Sequence, residues 1–182
     1  MITIYIGYDS SQDEAFETCK YSIQKNCKSN IKIVPIMKNF LIKSDLYYRK
    51  DDQDCATEFA FTRFLVPYLN NYQGWALFCD SDFLWTSDIT ELFQNLEQDI
   101  AVKCVKHDYS PKSNSKMEGK KQTFYPRKNW SSMMVFNCSH SSCKNLTIEN
   151  VNTKSGAWLH RFEWCEDNEI QEVGPEYNCL VG

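Results

Sequence analysis

Two aspartates, Asp80 and Asp82, stand either side of Ser81, directly after the apolar run Trp75-Ala76-Leu77-Phe78-Cys79. Carboxylates at that spacing, just past a buried strand, project beside a crevice rather than into a core. Oxygen ligands of this kind suit Mg²⁺ or Mn²⁺, ions that keep open positions for phosphate oxygens. A metal bridging a diphosphate neutralises the charge that builds on a leaving group. A turn followed by a helix cap accounts for the same tripeptide, so the pair alone leaves both readings open. Two other polar clusters follow apolar runs in the same way, Gly7-Tyr8-Asp9-Ser10 and Lys106-His107-Asp108-Tyr109.

The elements that must position these residues are legible as apolar runs and periods. Ile2 to Ile6 reads as a buried strand, and Ile31 to Ile36 as a second whose Pro35 points to a sheet edge or a strand end. Between them Phe16, Cys19 and Ile23 have helical spacing, predicting a helix from about Gln12 to Cys27. The polar, aromatic-rich stretch up to Cys55 is expected to be irregular, and Ala56 to Leu69 to be helical. Trp75 to Cys79 has the length and continuity of a fully buried strand. Asp88 with Glu91 has the spacing of a helix start. Ile100–Val105 and Ser132–Asn137 read as further strands, Ser155–Glu163 as a helix and the neighbourhood of Ile170 as a short strand. Alternating strands and helices predict an α/β fold with a largely parallel sheet and ligands at the carboxyl ends of its strands.

The chain has 182 residues, one domain's worth, with 42% hydrophobic and 24% charged residues, as in ordinary globular proteins. A net charge of −4 gives no basic groove for nucleic acid. Nine cysteines, an odd number with no C-x-x-C pair, predict free thiols in a reducing, cytoplasmic setting rather than a disulfide framework. The sequence opens on a strand-like run, which leaves no room for a signal peptide, and no apolar run approaches the ~20 residues of a membrane span.

The surroundings of the aspartates carry a resemblance. The stretch Phe59 to Leu69, the run Trp75 to Asp82 and the segment Asp88 to Phe93 resemble the core signature of retaining GT-A glycosyltransferases of the glycogenin and galactosyltransferase group. Asn129 to Asn137 is similar to that group's Asn-x-Gly-Val-Met-Leu-x-Asn pattern, and Glu166 to Ile170 to its Asp-Gln-Asp segment. The Tyr8-Asp9-Ser10 start, Thr57 to Phe64, Val105 to Tyr109, Tyr125 to Ser132 and Leu159 to Phe162 resemble small bacterial and chlorella-virus-type glycosyltransferase domains along nearly the full length.

The resemblance implies a GT-A (Rossmann-like) fold: a mixed, mostly parallel central sheet flanked by helices, with residues 1–182 as a single nucleotide-sugar-binding domain. It implies Asp82 as the main ligand of Mn²⁺ or Mg²⁺ and Asp80, beside Ser81, as a contact to metal and ribose. Tyr8 and Asp9 would meet base and ribose, Arg63 the ribose or the sugar. Asn129, Ser131 and Ser132 would lie under the donor sugar, with Asp167 hydrogen-bonding its hydroxyls and acting, with Asp80, as a catalytic residue. His107 is either a sugar contact or a loop residue, and His160 and Arg161 either reach acceptor or diphosphate or only cover the surface. The implied reaction moves a hexose, glucose or a deoxyhexose such as rhamnose, from a UDP-sugar to a glycan or glycoprotein acceptor with retention.

Related enzymes complete the metal site with a His and a Gly-Gly-Pro-Trp-like stretch near the C-terminus. This sequence reaches Gly182 without one, and reads as a domain excised from a longer chain or lacking that motif. A non-catalytic nucleotide-sugar-binding module is therefore the alternative. A haloacid-dehalogenase-type phosphatase is a further one, although Leu84 stands where that family wants Thr or Val. The Lys-rich segment from Tyr109 to Arg127 has neither hydrophobic period and is expected to be a flap over the donor, or else a solvated insertion.

Overall fold

The computed structural model describes residues 1–52, 55–107 and 127–180. Six strands form one sheet: β1 (Ile2–Tyr8), β2 (Ile31–Met37), β3 (Trp75–Cys79), β4 (Val102–Cys104), β5 (Met133–Asn137) and β6 (Ile170–Glu172). Their order across the sheet is β2-β1-β3-β5-β4-β6, a mixed, mostly parallel arrangement. β1 runs parallel to β2 and β3, and β4 parallel to β6, while β5 is antiparallel to both its neighbours. β2 lies at the edge, where Pro35 costs no ladder bond.

The strands' alternation divides the core between the two faces. Tyr5, Ala76, Phe78, Met134 and Phe136 point to one face, into a cluster with Phe59, Phe64, Phe162 and Trp164. Ile4, Ile6, Leu77, Cys79, Met133 and Val135 point to the other, where helix α1 (Asp13–Asn26) lays down Phe16, Cys19 and Ile23. Helix α1 therefore has the face that its helical spacing predicts. Asp88 caps the 3-10 helix Ile89–Phe93, its carboxylate accepting from Thr90 N. All nine cysteines are free thiols. Among the described residues no helix is long and apolar enough to cross a membrane.

Three expectations need correction. The predicted helix over Ala56–Leu69 is a series of turns followed by a 3-10 helix, Thr62–Leu65, and a short helix α3, Val66–Leu69. Pro67 is the second residue of α3 and has no N–H to give the Arg63 carbonyl, which instead accepts from Val66 N in the tighter 3-10 pattern. The stretch expected to be irregular contains helix α2 (Lys38–Lys43). Helix α4 (Ile148–Thr153), anchored by Thr147, had no prediction, and the helix expected over Ser155–Glu163 is the single turn α5 (Gly156–His160) capped by Ser155. The segment expected to form a flap lies outside the described residues, apart from Arg127.

Gly7, near the end of β1, shows how tightly the loop after α2 is pressed to the sheet. A Cβ at this position would stand 2.5 Å from atoms of the Phe59 ring, which is only 2% exposed. Gly7→Ala is predicted to displace that ring and destabilise the fold by about 1–3 kcal/mol. Denaturant unfolding measures it, and an unchanged midpoint would mean that the Phe59 packing is not held as described.

Candidate active site

The two aspartates emerge where β3 leaves the sheet. The register Cys79↔Met133 brings the start of antiparallel β5 beside the end of β3, and Asp80 N donates to Ser132 O at 2.9 Å. The turn Asn129–Ser132 is thereby fixed against the aspartates, with Asn129 in the left-handed region at φ 67°, a conformation asparagine tolerates better than most residues. Ser132 is a hub: its hydroxyl donates to Asn129 O at 2.7 Å and accepts from Asn178 Nδ2 at 2.7 Å.

These residues line a cavity of about 620 Å³. Asp80, Asp82, Asn129 and Ser132 form one side, the run Phe83–Ser87 another, and the C-terminal stretch Glu176–Leu180 a third. Phe83 stacks on Trp85, with ring centroids 5.6 Å apart, and Leu84 is exposed at the rim. The cavity's size lies within the range that holds drug-sized ligands.

Asp80 and Asp82 live in different surroundings. Asp82 is exposed. Asp80 has Arg63 Nη1 2.8 Å from its Oδ1, and Arg63 is itself almost wholly buried. The same Nη1 donates to Ser131 O at 2.8 Å, Arg63 Nε donates to Phe59 O at 3.2 Å, and the guanidinium lies over the rings of Phe59 and Phe78. Burial pushes the Asp80 carboxyl up, Arg63 pulls it back, and the Asp82 charge pushes it up again, leaving it at about 7. A carboxylate that burial and a like charge both disfavour gains from a cation in front of it, and Asp82 could offer a second hard oxygen ligand to one. Among the described residues no third His, Cys, Asp or Glu gathers with them.

The remaining sequence candidates lie around this centre. Ser81 is buried behind it. Ser131 faces away from the cavity, its hydroxyl 2.9 Å from His160 Nδ1. His160 packs edge-on against Phe64 and also against Phe61, so it supports Ser131 instead of reaching a ligand. His107 contributes its carbonyl to Trp130 Nε1 at 3.2 Å. Asp9 holds the loop after β1, its carboxylate accepting from Ser11 N and Oγ and from Glu58 N. Tyr8 donates to Asp13 and packs edge-on against Phe16. Asp167 is exposed and pairs with Arg127, whose Nη1 also donates to Arg161 O at 2.6 Å. None of Tyr8, Asp9, His107 and Asp167 lines the cavity. Conversely, Asn178 and Tyr177 do line it and carry no recognisable motif; the Gly174-Pro175 turn signal that brings them back is the only local clue.

The mixed, mostly parallel six-stranded sheet with its flanking helices is of the GT-A class, and solved structures bear this fold out. GlyE of Streptococcus pneumoniae TIGR4, a glycosyltransferase, superposes over 97% of this chain and 46% of its own with TM-score 0.59 and 14% identity. The galactosyltransferase LgtC, solved with donor and acceptor sugar analogues, matches over 95% of this chain and 73% of its own, TM-score 0.55 and 9% identity. A glycosyltransferase involved in glycosylating the major capsid of PBCV-1 matches over 96% and 82%, TM-score 0.51 and 14% identity. At these identities the likeness establishes the fold, and the chain spans less than half of GlyE's length. No family model matches the sequence. Protein CDI of Arabidopsis thaliana is 49% identical over 179 residues, covering 98% of this chain and 69% of that protein. The chain belongs to the family of Protein CDI.

His160 gives the site a measurable acid response. Burial, followed by the positive charges of Arg63 and Arg49, depresses its pKa from 6.5 to about 3. Below pH 6.5 the unfolded chain binds a proton that the folded chain refuses, so this group's contribution to stability is lost as pH falls, by about 1.4 kcal/mol per unit. Asp80 titrates in the opposite sense, its raised pKa adding stability as pH falls through about 7. The readout is therefore a difference. His160→Gln is predicted to lose less stability than wild type between about pH 6 and 4. Parallel stability-versus-pH curves for the two proteins would count against a depressed His160.

Proposed function

We propose that this protein is a metal-dependent glycosyltransferase that transfers a hexose from a UDP-sugar to a glycan or other hydroxyl acceptor, with retention. The observation that carries this reading is the placement of Asp80 and Asp82 on one wall of the 620 Å³ cavity, with Asp80 fixed from behind by Arg63. Asp82 would be the main ligand of Mn²⁺ or Mg²⁺ and Asp80 the second. When bound, the ion would stabilise the departing diphosphate. The chain's own groups would do the rest. Arg63 holds the Asp80 carboxylate in one orientation, as hydrogen-bonded partners of ligating carboxylates do. Asn129 and Ser132, which line the cavity, would offer polar atoms under the donor sugar, and Phe83 and Leu84 would form an apolar wall that limits water. Asp167 would join the donor site from its pairing with Arg127. A glucose or deoxyhexose donor follows from the sequence resemblance.

One observation favours a second reading, a nucleotide-sugar-binding module without transfer: the described residues supply only two acidic ligands. The same experiments separate the two. Asp82 is exposed and lies past the end of β3, so Asp82→Ala is predicted to leave the melting temperature of the unliganded protein unchanged and to abolish Mn²⁺-dependent UDP-sugar binding. Calorimetry measures this, and equal donor affinity in the variant would sink the metal assignment. Binding without sugar transfer to any acceptor would leave the module reading.

Donor choice is a separate prediction. The sequence resemblance implies a UDP-sugar donor, so UDP-glucose is predicted to stabilise the protein more than GDP-mannose. At a hundredfold excess over its dissociation constant the bound donor adds about 2.7 kcal/mol, a shift that a thermal melt resolves. A larger shift with the guanine nucleotide would refute the pyrimidine assignment.

A further inference from the structure

A second cavity, of about 250 Å³, lies on the far side of Tyr177, which lines both. Its character is unlike the first. Lys103 projects into its wall from β4, in register with Gln171 of β6. Lys103 is only 6% exposed, and its Nζ donates to Leu92 O at 3.0 Å and Gln94 O at 3.3 Å. An ammonium has three N–H donors, so among the described residues the two carbonyls leave one unassigned. Gln171 Nε2 donates to Glu97 Oε1 at 3.0 Å, which fixes the amide's orientation and turns Oε1 the other way. That Oε1 is buried and accepts no hydrogen bond among the described residues. Burial lowers the Lys103 pKa, as expected for a cation held in a tight polar wall.

Among the described residues one donor and one acceptor on adjacent strands lack partners, and they call for a group that accepts and donates at once. A hydroxyl does both. The cavity's charges disfavour the alternatives: Glu91 and Glu172 line it and would repel an anion, while Lys103 would repel a cation placed beside Gln171. Its volume falls below the ~300–1,000 Å³ of drug-sized sites, which leaves room for a single ring. We propose that this cavity is a subsite for one neutral sugar ring, a unit of the acceptor next to the one that reacts across Tyr177. The acceptor identity rests on the glycosyltransferase reading; the binding of a sugar ring does not.

The test is a ¹H–¹⁵N titration of the whole protein with the methyl glycosides of glucose, galactose and mannose, and separately with inorganic phosphate. A methyl glycoside is expected to shift the amides around Leu92–Asn95 and Gln171–Gly174. Gln171→Leu, which removes the unpartnered acceptor from an edge strand, should weaken that binding about tenfold, the loss of one buried hydrogen bond. Lys103→Met is the second variant, judged by its melting curve to be folded before use, and should weaken binding similarly. Absence of shifts with all three glycosides, shifts confined to the neighbourhood of Asp82, a response to phosphate alone, or equal binding by both variants would each overturn the proposal. UDP-sugar binding at Asp82 without glycoside binding here defeats the subsite and leaves the donor reading intact. The reverse result defeats the donor reading and leaves the subsite.

Discussion

The contact between Arg63 and Asp80 constrains more of this molecule than any other. A buried arginine is costly unless its charge is opposed and its donors are filled. Here both conditions are met by three separate parts of the chain: the carboxylate at the end of β3, the carbonyl of Ser131 before β5, and the carbonyl of Phe59 one turn back. The rings of Phe59 and Phe78 cover the guanidinium. For all of these to converge, β5 must run antiparallel, so that its beginning meets the end of β3. The segment before α3 must also be wound tightly enough to bring Arg63 to the end of β3 beside the start of β5. The mixed sheet and the 3-10 turn are both consistent with that convergence.

This also explains which parts of the fold the amino-acid pattern displays. Buried strands announce themselves as apolar runs, and β1, β2 and β3 are found where those runs lie. Direction leaves no mark in such a run. Met133 to Asn137 reads the same whether it pairs parallel or antiparallel, so the reversal of β5 could not be seen. Helical spacing in Phe61, Leu65, Tyr68 and Leu69 pointed to one long helix, but the pattern responds to which residues are buried and not to the backbone that buries them. Tertiary ties overrode it: Glu58 N is held by Asp9, Arg63 by Asp80, and Pro67 forces a fresh start.

The candidate site divides along the same line. Asp80 and Asp82 are legible because their position after a strand is a local fact. Asn178 and Tyr177 are not, because their place depends on the chain returning through Gly174 and Pro175 to the mouth of a cavity formed far earlier in sequence. Asp9 shows the converse. Its place after β1 marks it as a ligand contact, yet a carboxylate in a tight loop also satisfies its own neighbours, and the hydrogen bonds from Ser11 and Glu58 hold its pKa down against burial. A polar residue at a strand end serves the loop, the ligand or both, and only the geometry distinguishes them.

The turn after α5 ties the two outlying arms of the site together. His160 reaches inward to the hydroxyl of Ser131, the residue whose carbonyl holds Arg63, while the Arg161 carbonyl accepts from Arg127, the partner of Asp167. Between these arms and the next strand stands Phe162 with φ 56°, a left-handed conformation that costs an aromatic residue about 1–3 kcal/mol. Phe162 is fully buried against Trp130 and Trp164, and burial of a phenylalanine returns about 1.5–3 kcal/mol. The two magnitudes are comparable, so packing of Phe162 is of the size needed to offset the backbone strain. The orientation of both arms therefore rests on the aromatic cluster of Phe162, Trp130 and Trp164.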